Sequence, residues 1–179
     1  MTTGADPVGE AIADWASRTA SDEAPAPVRA VSAGAIVELR EITDATVREI
    51  CRLQVAPHQR GHVAPNAVSL AEALFEPKAW YRAIVADDVS VGFVMLYDDP
   101  DKPEYFLWRL MVGAPYQGLG IGRSAVGRLV EHVRTRPAAT ELRTSWVPGP
   151  DGPERFYLAL GFEATGEVDE GEIVARLAL

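Results

Sequence analysis

Three glycines alternate along residues 118–122, between an apolar stretch that ends at Val112 and an amphipathic stretch that begins near Ile121. The pattern predicts a strand, a glycine-rich turn and a long helix in direct succession. Glycines let the backbone approach a ligand closely, and the N–H groups and dipole of a helix start favour phosphate oxygens. Arg123 adds a permanent positive charge at the same end. The segment is therefore a candidate phosphate-binding loop.

The remaining apolar patterns predict an α+β fold. Before the glycines, we expect a strand at 36–42, a helix at 47–53, a second helix that starts at Ser69, and strands at 80–86, 89–97 and 105–112. Asp87 and Asp88 join two of these strands as a hairpin. After the long helix, we expect a strand at 142–147, a helix at 154–160 and strands at 162–168 and 172–177. The order β-α-α-β-β-β-α-β-α-β-β predicts a mixed, mostly antiparallel central sheet flanked by helices.

Length and composition predict one globular domain with an extension. The chain has 179 residues, of which 47% are hydrophobic and 24% charged. Residues 36–179 form the predicted domain, and residues 1–35 form an N-terminal extension with a short helix around Trp15 and an Ala/Pro-rich linker. The single cysteine, Cys51, excludes an internal disulfide framework.

Charge and residue content narrow the classes of function. A net charge of −9 argues against nucleic-acid binding, which depends on neutralising phosphates, and suits a small cationic partner. No membrane-spanning stretch or secretion signal is visible, so we expect a cytoplasmic protein. His58 and His62 are four residues apart, but Gly61 between them and the flanking prolines predict loop histidines and no metal site.

Three kinds of phosphate loop can be compared with the glycines. The string lacks the lysine and the spacing of a nucleotide-triphosphate loop. It also stands outside the parallel βαβ context of a dinucleotide fingerprint. The motif [Gln/Arg]-x-x-Gly-x-[Gly/Ala] fits at Gln117, Gly120 and Gly122. This segment resembles the pyrophosphate loop of the GCN5-related N-acetyltransferase (GNAT) family, and Phe-Tyr-Leu-Ala-Leu-Gly-Phe at 156–162 resembles a second signature of that family.

The resemblance covers roughly residues 36–179 and implies an acetyl-CoA-dependent N-acetyltransferase that acts in a ternary complex. It implies catalytic roles for Tyr157, as general acid, and for Met111, whose N–H stabilises the oxyanion. Backbone groups of Met111 and Val112 would hold the pantetheine arm beside Tyr157. The rest of the cofactor-binding set that it implies is Gln117, Gly118, Leu119, Gly120, Ile121, Gly122, Arg123 and Ser124.

Shorter strings, among them Val-Ala-Pro-Asn at 63–66 and Gly-Glu-Ile-Val at 171–174, are similar to bacterial spermine/spermidine (diamine) N-acetyltransferase-like members. The expected substrate is therefore a polyamine, and the candidate acceptor-binding acids are Glu72, Asp98, Glu104 and Glu172. Glu72 also has a local explanation, because Ser69 and Glu72 form a capping box at a helix start.

Several alternatives remain open. Pro150 replaces an asparagine that often contacts pantetheine in the family, and Trp108 stands where eukaryotic polyamine acetyltransferases carry a glutamate. The general base is therefore unassigned. The acceptor can also be a cationic antibiotic or a protein amine, and a non-catalytic acyl-CoA sensor is a further alternative. Family members are often dimers, so the resemblance also raises a homodimer.

Overall fold

The computed structural model describes residues 28–179, and these form one seven-stranded sheet with four α-helices. The predicted order of strands and helices is confirmed, while the predicted helix around Trp15 lies outside the described residues. In chain order the elements are β1 (Val37–Arg40), α1 (Val47–Arg52), α2 (Asn66–Glu72), β2 (Ala79–Ala86), β3 (Val89–Asp99), β4 (Glu104–Val112), α3 (Ile121–Arg134), β5 (Glu141–Trp146), α4 (Glu154–Ala159), β6 (Glu163–Asp169) and β7 (Glu172–Ala178). Short 3-10 turns occupy Pro57–Gln59 and Ala114–Tyr116.

The sheet is antiparallel except at its centre. Its strand order is β1-β2-β3-β4-β5-β7-β6, and only β4 and β5 run parallel. A parallel pair needs a crossover connection, and α3 supplies it. The predicted hairpin of β2 and β3 is confirmed, with Asp87 and Asp88 at φ 47° and 62° in its two-residue turn. The fold is thus the predicted α+β architecture.

The two parallel strands β4 and β5 diverge, and the gap between them is where the cleft described below opens. The strands β4 and β5 are paired only at Phe106 with Arg143 and at Leu107 with Thr144. Beyond these pairs the two strands separate, so the C-terminal half of β4 has no strand partner on that side. A β-bulge against β3 also lies here, since Arg109 pairs with Met95 and Leu107 pairs with Leu96. Bulges of this kind are common next to active sites.

The start of α2 differs from the prediction. The helix begins at Asn66, directly after Pro65, and the hydroxyl of Ser69 donates a hydrogen bond to the carbonyl of Pro65, 3.4 Å away. Ser69 is therefore an interior residue of the helix, bonded to the carbonyl four positions earlier. The predicted capping box is wrong, because Glu72 is the last helical residue and not an acid of the first turn. Along residues 28–179, each helix is too short or too polar to cross a membrane.

Candidate active site

A cleft of about 1110 Å³ opens where β4 and β5 separate. One wall consists of residues 106–112 of β4 and the glycine loop, and another consists of the end of β5 and the start of α4. Residues 59–65 and the turn between β6 and β7 complete the lining. The cleft therefore collects loops that are far apart in the sequence at the gap in the sheet.

The glycine loop presents backbone to this cleft. Gly118 and Gly120 have φ of +77° and +80°, a left-handed conformation that glycine adopts without strain. A Cβ at either position would have no atom of the described chain within 4 Å, so the space above both is open. Gly120 is the N-cap of the 14-residue helix α3, whose first N–H groups have no intrahelical partner. The loop thus combines open space with free donors.

The side chain of Gln117 holds the loop in place. Its amide donates to the carbonyl of Val112 and to Oε1 of Gln59, each at 2.9 Å. Within the predicted cofactor-binding set, Leu119 and Ser124 do not line the cleft, whereas the other members do. Leu119 packs against the core instead, and the N–H of Ser124 donates to the carbonyl of Gly120.

Two arginines line the cleft. Arg123 follows the glycine loop directly and donates from Nη2 to the carbonyl of Ala159, 2.9 Å away, at the end of α4. Arg155 lines the cleft from α4 itself. The glycine loop and Arg123 together therefore offer N–H groups and fixed positive charge, the combination that binds phosphate oxygens.

Tyr157 lies under the gap between the strands. Its side chain is buried, and its ring stacks on Trp146 with a centroid distance of 5.5 Å and an interplanar angle of 15°. Burial raises the pKa of Tyr157 to about 12, against a smaller lowering by a hydrogen bond with Thr144, while the charge of Glu172 raises it further. The phenol therefore carries its proton throughout the neutral pH range and is available as a donor.

Three buried nitrogens of residues that line the cleft lack partners among the described residues. They are Nε1 of Trp146, Nδ1 of His62 and Nε of Arg109, each inaccessible to water and without a hydrogen bond. Buried polar atoms are nearly always satisfied, and each exception has to be explained. The sequence predicts a loop position for His62 and no role, and no local pattern around it signals a position in the cleft.

The turn between β6 and β7 gives the cleft an acidic wall. Asp169, Glu170 and Glu172 all line it, and Asp151 lines it from the loop before α4. The hydroxyl of Ser145 donates to the carboxylate of Glu172 and holds it in place. Of the four predicted acceptor-binding acids, only Glu172 is in the lining.

The other three predicted acids are placed elsewhere. Glu72 forms an ion pair with Arg109 at 3.3 Å. Asp98 accepts a hydrogen bond from Arg136 at 2.9 Å, and its side chain is 8% exposed. Glu104 is exposed at the start of β4 and does not border the cleft. These three carboxylates therefore lie next to a basic side chain or in solvent, and none of them lines the cleft. Within residues 28–179, no cluster of three or more His, Cys, Asp and Glu side chains is arranged to hold a metal ion.

A glycine loop at a helix start, next to a gap between two parallel strands and a buried tyrosine, is the arrangement that the resemblance to acyl-CoA-dependent transferases implies. Residues 64–162 match the sequence profile of the acetyltransferase (GNAT) family. The chain belongs to this family and is an acetyl-CoA-dependent N-acetyltransferase.

Individual relatives are similar at low identity. The spermine/spermidine N(1)-acetyltransferase of Bacillus subtilis (strain 168) is 23% identical over 139 residues, which are 74% of this chain and 91% of that protein. A crystal structure of PaiA N-acetyltransferase from Thermoplasma acidophilum with coenzyme A has a TM-score of 0.62 at 14% identity, covering 80% of this chain and 99% of that one. Spermidine N-acetyltransferase from Vibrio cholerae, solved with CoA and spermine, has a TM-score of 0.62 at 15% identity, covering 80% and 94%. At these identities the solved structures show the shared fold.

Proposed function

We propose that this acetyltransferase transfers the acetyl group of acetyl-CoA to a primary amine of a polyamine, by direct attack within a ternary complex. The observation that carries the proposal is that one cleft is lined both by a glycine loop with Arg123 and by the carboxylates of the β6–β7 turn. An anionic donor matches the loop, and a polycationic acceptor matches the carboxylates. The names of the Bacillus subtilis and Vibrio cholerae relatives support the same class of acceptor.

The donor end suits a diphosphate joined to an extended amide arm. Open space above Gly118 and Gly120 admits phosphate oxygens to the N–H groups of the helix start, with Arg123 beside them. The unpaired edge of β4 leaves backbone groups free to bind an extended chain, as in strand addition. We assign Met111 and Val112 to this edge, with the N–H of Met111 donating to the oxyanion that forms during attack.

Tyr157 stabilises the leaving thiolate. In the reaction the amine nitrogen bonds to the thioester carbon, the carbon–sulfur bond breaks, and the electron pair remains on sulfur. A cysteine-like thiol has a pKa of about 8.5, so full proton transfer from a phenol of pKa about 12 is uphill by about 5 kcal/mol. The phenol of Tyr157 therefore acts first as a hydrogen-bond donor to the sulfur, and a thiol forms when a proton arrives from the solvent.

The acidic wall recognises the acceptor. We assign the ammonium groups of the polyamine to Glu172, which Ser145 orients, and to Asp169 and Glu170 on the same turn. Because several carboxylates lie on one wall, different ammonium groups of the same polyamine can pair with them. This arrangement suits a flexible chain with more than one ammonium group. We leave Glu72 out, because Arg109 already neutralises it.

A pair of glutamine variants tests the assignment. Glu172→Gln removes one charge from the wall with little change in shape, and Glu104→Gln removes one charge from the exposed start of β4 as a matched control. We expect the KM for spermidine to rise about 10-fold in the first variant, the size of one partly screened charged hydrogen bond. The KM for acetyl-CoA should not change. Equal spermidine kinetics in the two variants would contradict the acidic wall as the acceptor site.

A further inference from the structure

His62 is a polar side chain of the cleft that neither the donor nor the acceptor assignment uses. It lies in the loop between the 3-10 turn Pro57–Gln59 and α2, and it lines the cleft. Gly149, in the loop after β5, faces it, since a Cβ at Gly149 would lie 3.9 Å from Cε1 of His62. The imidazole therefore stands at the border of the cleft, where these two loops approach each other.

The imidazole has an unsatisfied nitrogen. Its Nδ1 is buried and has no hydrogen-bond partner among the described residues. Burial turns Nδ1 away from any molecule in the cleft. Since the side chain as a whole is half-buried and lines the cleft, Nε2 is the ring nitrogen that remains to meet a ligand.

The other two histidines have different surroundings. The chain contains three histidines, and all three are described. His132 stacks on Trp80 at 4.2 Å and lies 3.6 Å from Asp98, outside the cleft. His58 lies on the 3-10 turn and does not line the cleft. Of the three, His62 alone can reach a ligand in the cleft.

Acetyl transfer to an amine requires a proton acceptor. An amine is protonated at neutral pH and has no lone pair for attack until it loses that proton. Carboxylates next to an ammonium group favour its charged form, so the acidic wall binds the acceptor and opposes its deprotonation. Imidazole changes its charge between pH 5 and 8 and is the usual general base at neutral pH.

We propose that His62 is the general base of the reaction. The acceptor ammonium loses one proton to the imidazole, and its freed lone pair forms the bond to the acetyl carbon. The thioester carbon–sulfur bond then breaks, with its electron pair on the sulfur beside Tyr157, and the nitrogen gives up its second ammonium proton to the solvent, which leaves a neutral amide. The imidazolium returns its proton to the solvent after the products leave. This role rests on the proposed function only in requiring that the acceptor is an amine.

Charged groups of both signs line the cleft that His62 borders. Arg60 shares its loop, Arg109 lies on β4 and Arg155 on α4. Opposite in sign are Asp151 after β5 and the three acids of the β6–β7 turn, Asp169, Glu170 and Glu172.

The test compares His62→Gln with His58→Gln at saturating acetyl-CoA from pH 6 to about 9.5. The first variant keeps a polar side chain of similar size but cannot accept a proton, and the second makes the same change four residues away, outside the cleft. We expect kcat/KM for the amine to fall about 100- to 10,000-fold near neutral pH in His62→Gln, the usual contribution of a general base. The control should keep the wild-type rate.

The shape of the pH profile separates a base from a structural role. Without a base, only amine that is already deprotonated reacts, so the rate of His62→Gln should rise about tenfold per pH unit toward the pKa of the amine. The wild-type rate should level off earlier. If His62→Gln fails to fold by its thermal transition, His62→Asn replaces it. A wild-type rate and profile in the His62 variant, or a loss that does not depend on pH, would overturn the role of His62 alone. Absence of turnover by the wild-type chain with every amine would overturn the proposed function as well.

Discussion

Substitution of Gly120 by alanine tests the glycine loop with little ambiguity. Gly120 has φ +80°, and a Cβ there meets no described atom within 4 Å. An alanine in the left-handed region costs about 1 to 2 kcal/mol, and no clash adds to this. Gly166, on the exposed strand β6, has φ +86° and the same open surroundings, but it does not line the cleft. Gly166→Ala is therefore a matched control for backbone strain.

The two variants should differ only in cofactor affinity. Both should lose about 1 to 2 kcal/mol of unfolding free energy, which lowers Tm by about 2 to 8 °C for a chain of this length. In Gly120→Ala the new methyl group also occupies the space through which phosphate oxygens would reach the helix N–H groups. Loss of one charge-assisted hydrogen bond to a phosphate costs about 1.5 to 3 kcal/mol, so the Kd for acetyl-CoA should rise about 10- to 100-fold.

Denaturant unfolding measures the stability change, and calorimetric titration with acetyl-CoA measures Kd. The expected result is equal destabilisation with weakened binding in Gly120→Ala only. If the two variants bound acetyl-CoA equally well, the cofactor phosphates would not lie against residues 118–122, and the assignment of the loop would be refuted.

Three further outcomes follow from the same site. Tyr157→Phe removes the donor to the thiolate, so kcat should fall about 10- to 100-fold with the KM for acetyl-CoA unchanged, and an unchanged kcat across pH 6 to about 9 would contradict that role. Burial raises the pKa of Tyr157 to about 12 in the folded chain, against about 10 in the unfolded chain. The protonated phenol therefore contributes fully to folding stability below pH about 10, and this contribution is lost as the pH rises from about 10 to about 12. A titration of tyrosinate absorbance should show one tyrosine that ionises near pH 12 in wild type, above the usual value of about 10, and this component should be absent in Tyr157→Phe. The KM for spermidine should rise steeply with salt concentration in wild type and less steeply in Glu172→Gln, because ionic screening weakens each charge contact with the acceptor.

Local patterns predicted the fold well because its elements carry their own signals. The Asp87-Asp88 turn between alternating apolar runs specified the hairpin of β2 and β3, and the glycines specified the strand–turn–helix at the cleft. The start of α2 was predicted at Ser69, whereas the helix begins at Asn66. Both Pro65-Asn66 and Ser69 are helix-start signals, and the helix begins at the one that comes first in the chain.

The acceptor end could not be predicted from sequence in the same way. Asp98 and Glu172 are both strand carboxylates, and only tertiary structure decides that the first meets Arg136 while the second faces the cleft. His62 stands directly before the Val-Ala-Pro-Asn string at 63–66, which predicts no role for the histidine, and it reaches the cleft because its loop packs opposite the loop that contains Gly149. A site made of one backbone loop can thus be predicted from a short stretch of sequence. A substrate site made of side chains cannot, because it depends on which distant loops come together in the fold.

The most direct measurement is the release of free coenzyme A by the wild-type chain, followed with a thiol reagent, with acetyl-CoA and a panel of amines. The panel contains spermidine, spermine, putrescine, aminoglycosides and peptides with free amino termini, and mass spectrometry identifies each product. We expect thiol release that depends on polyamines and is matched by acetylated polyamine. Turnover confined to aminoglycosides or peptides would contradict the polyamine acceptor, and acetyl-CoA binding without release on any amine would contradict catalysis and indicate an acyl-CoA sensor.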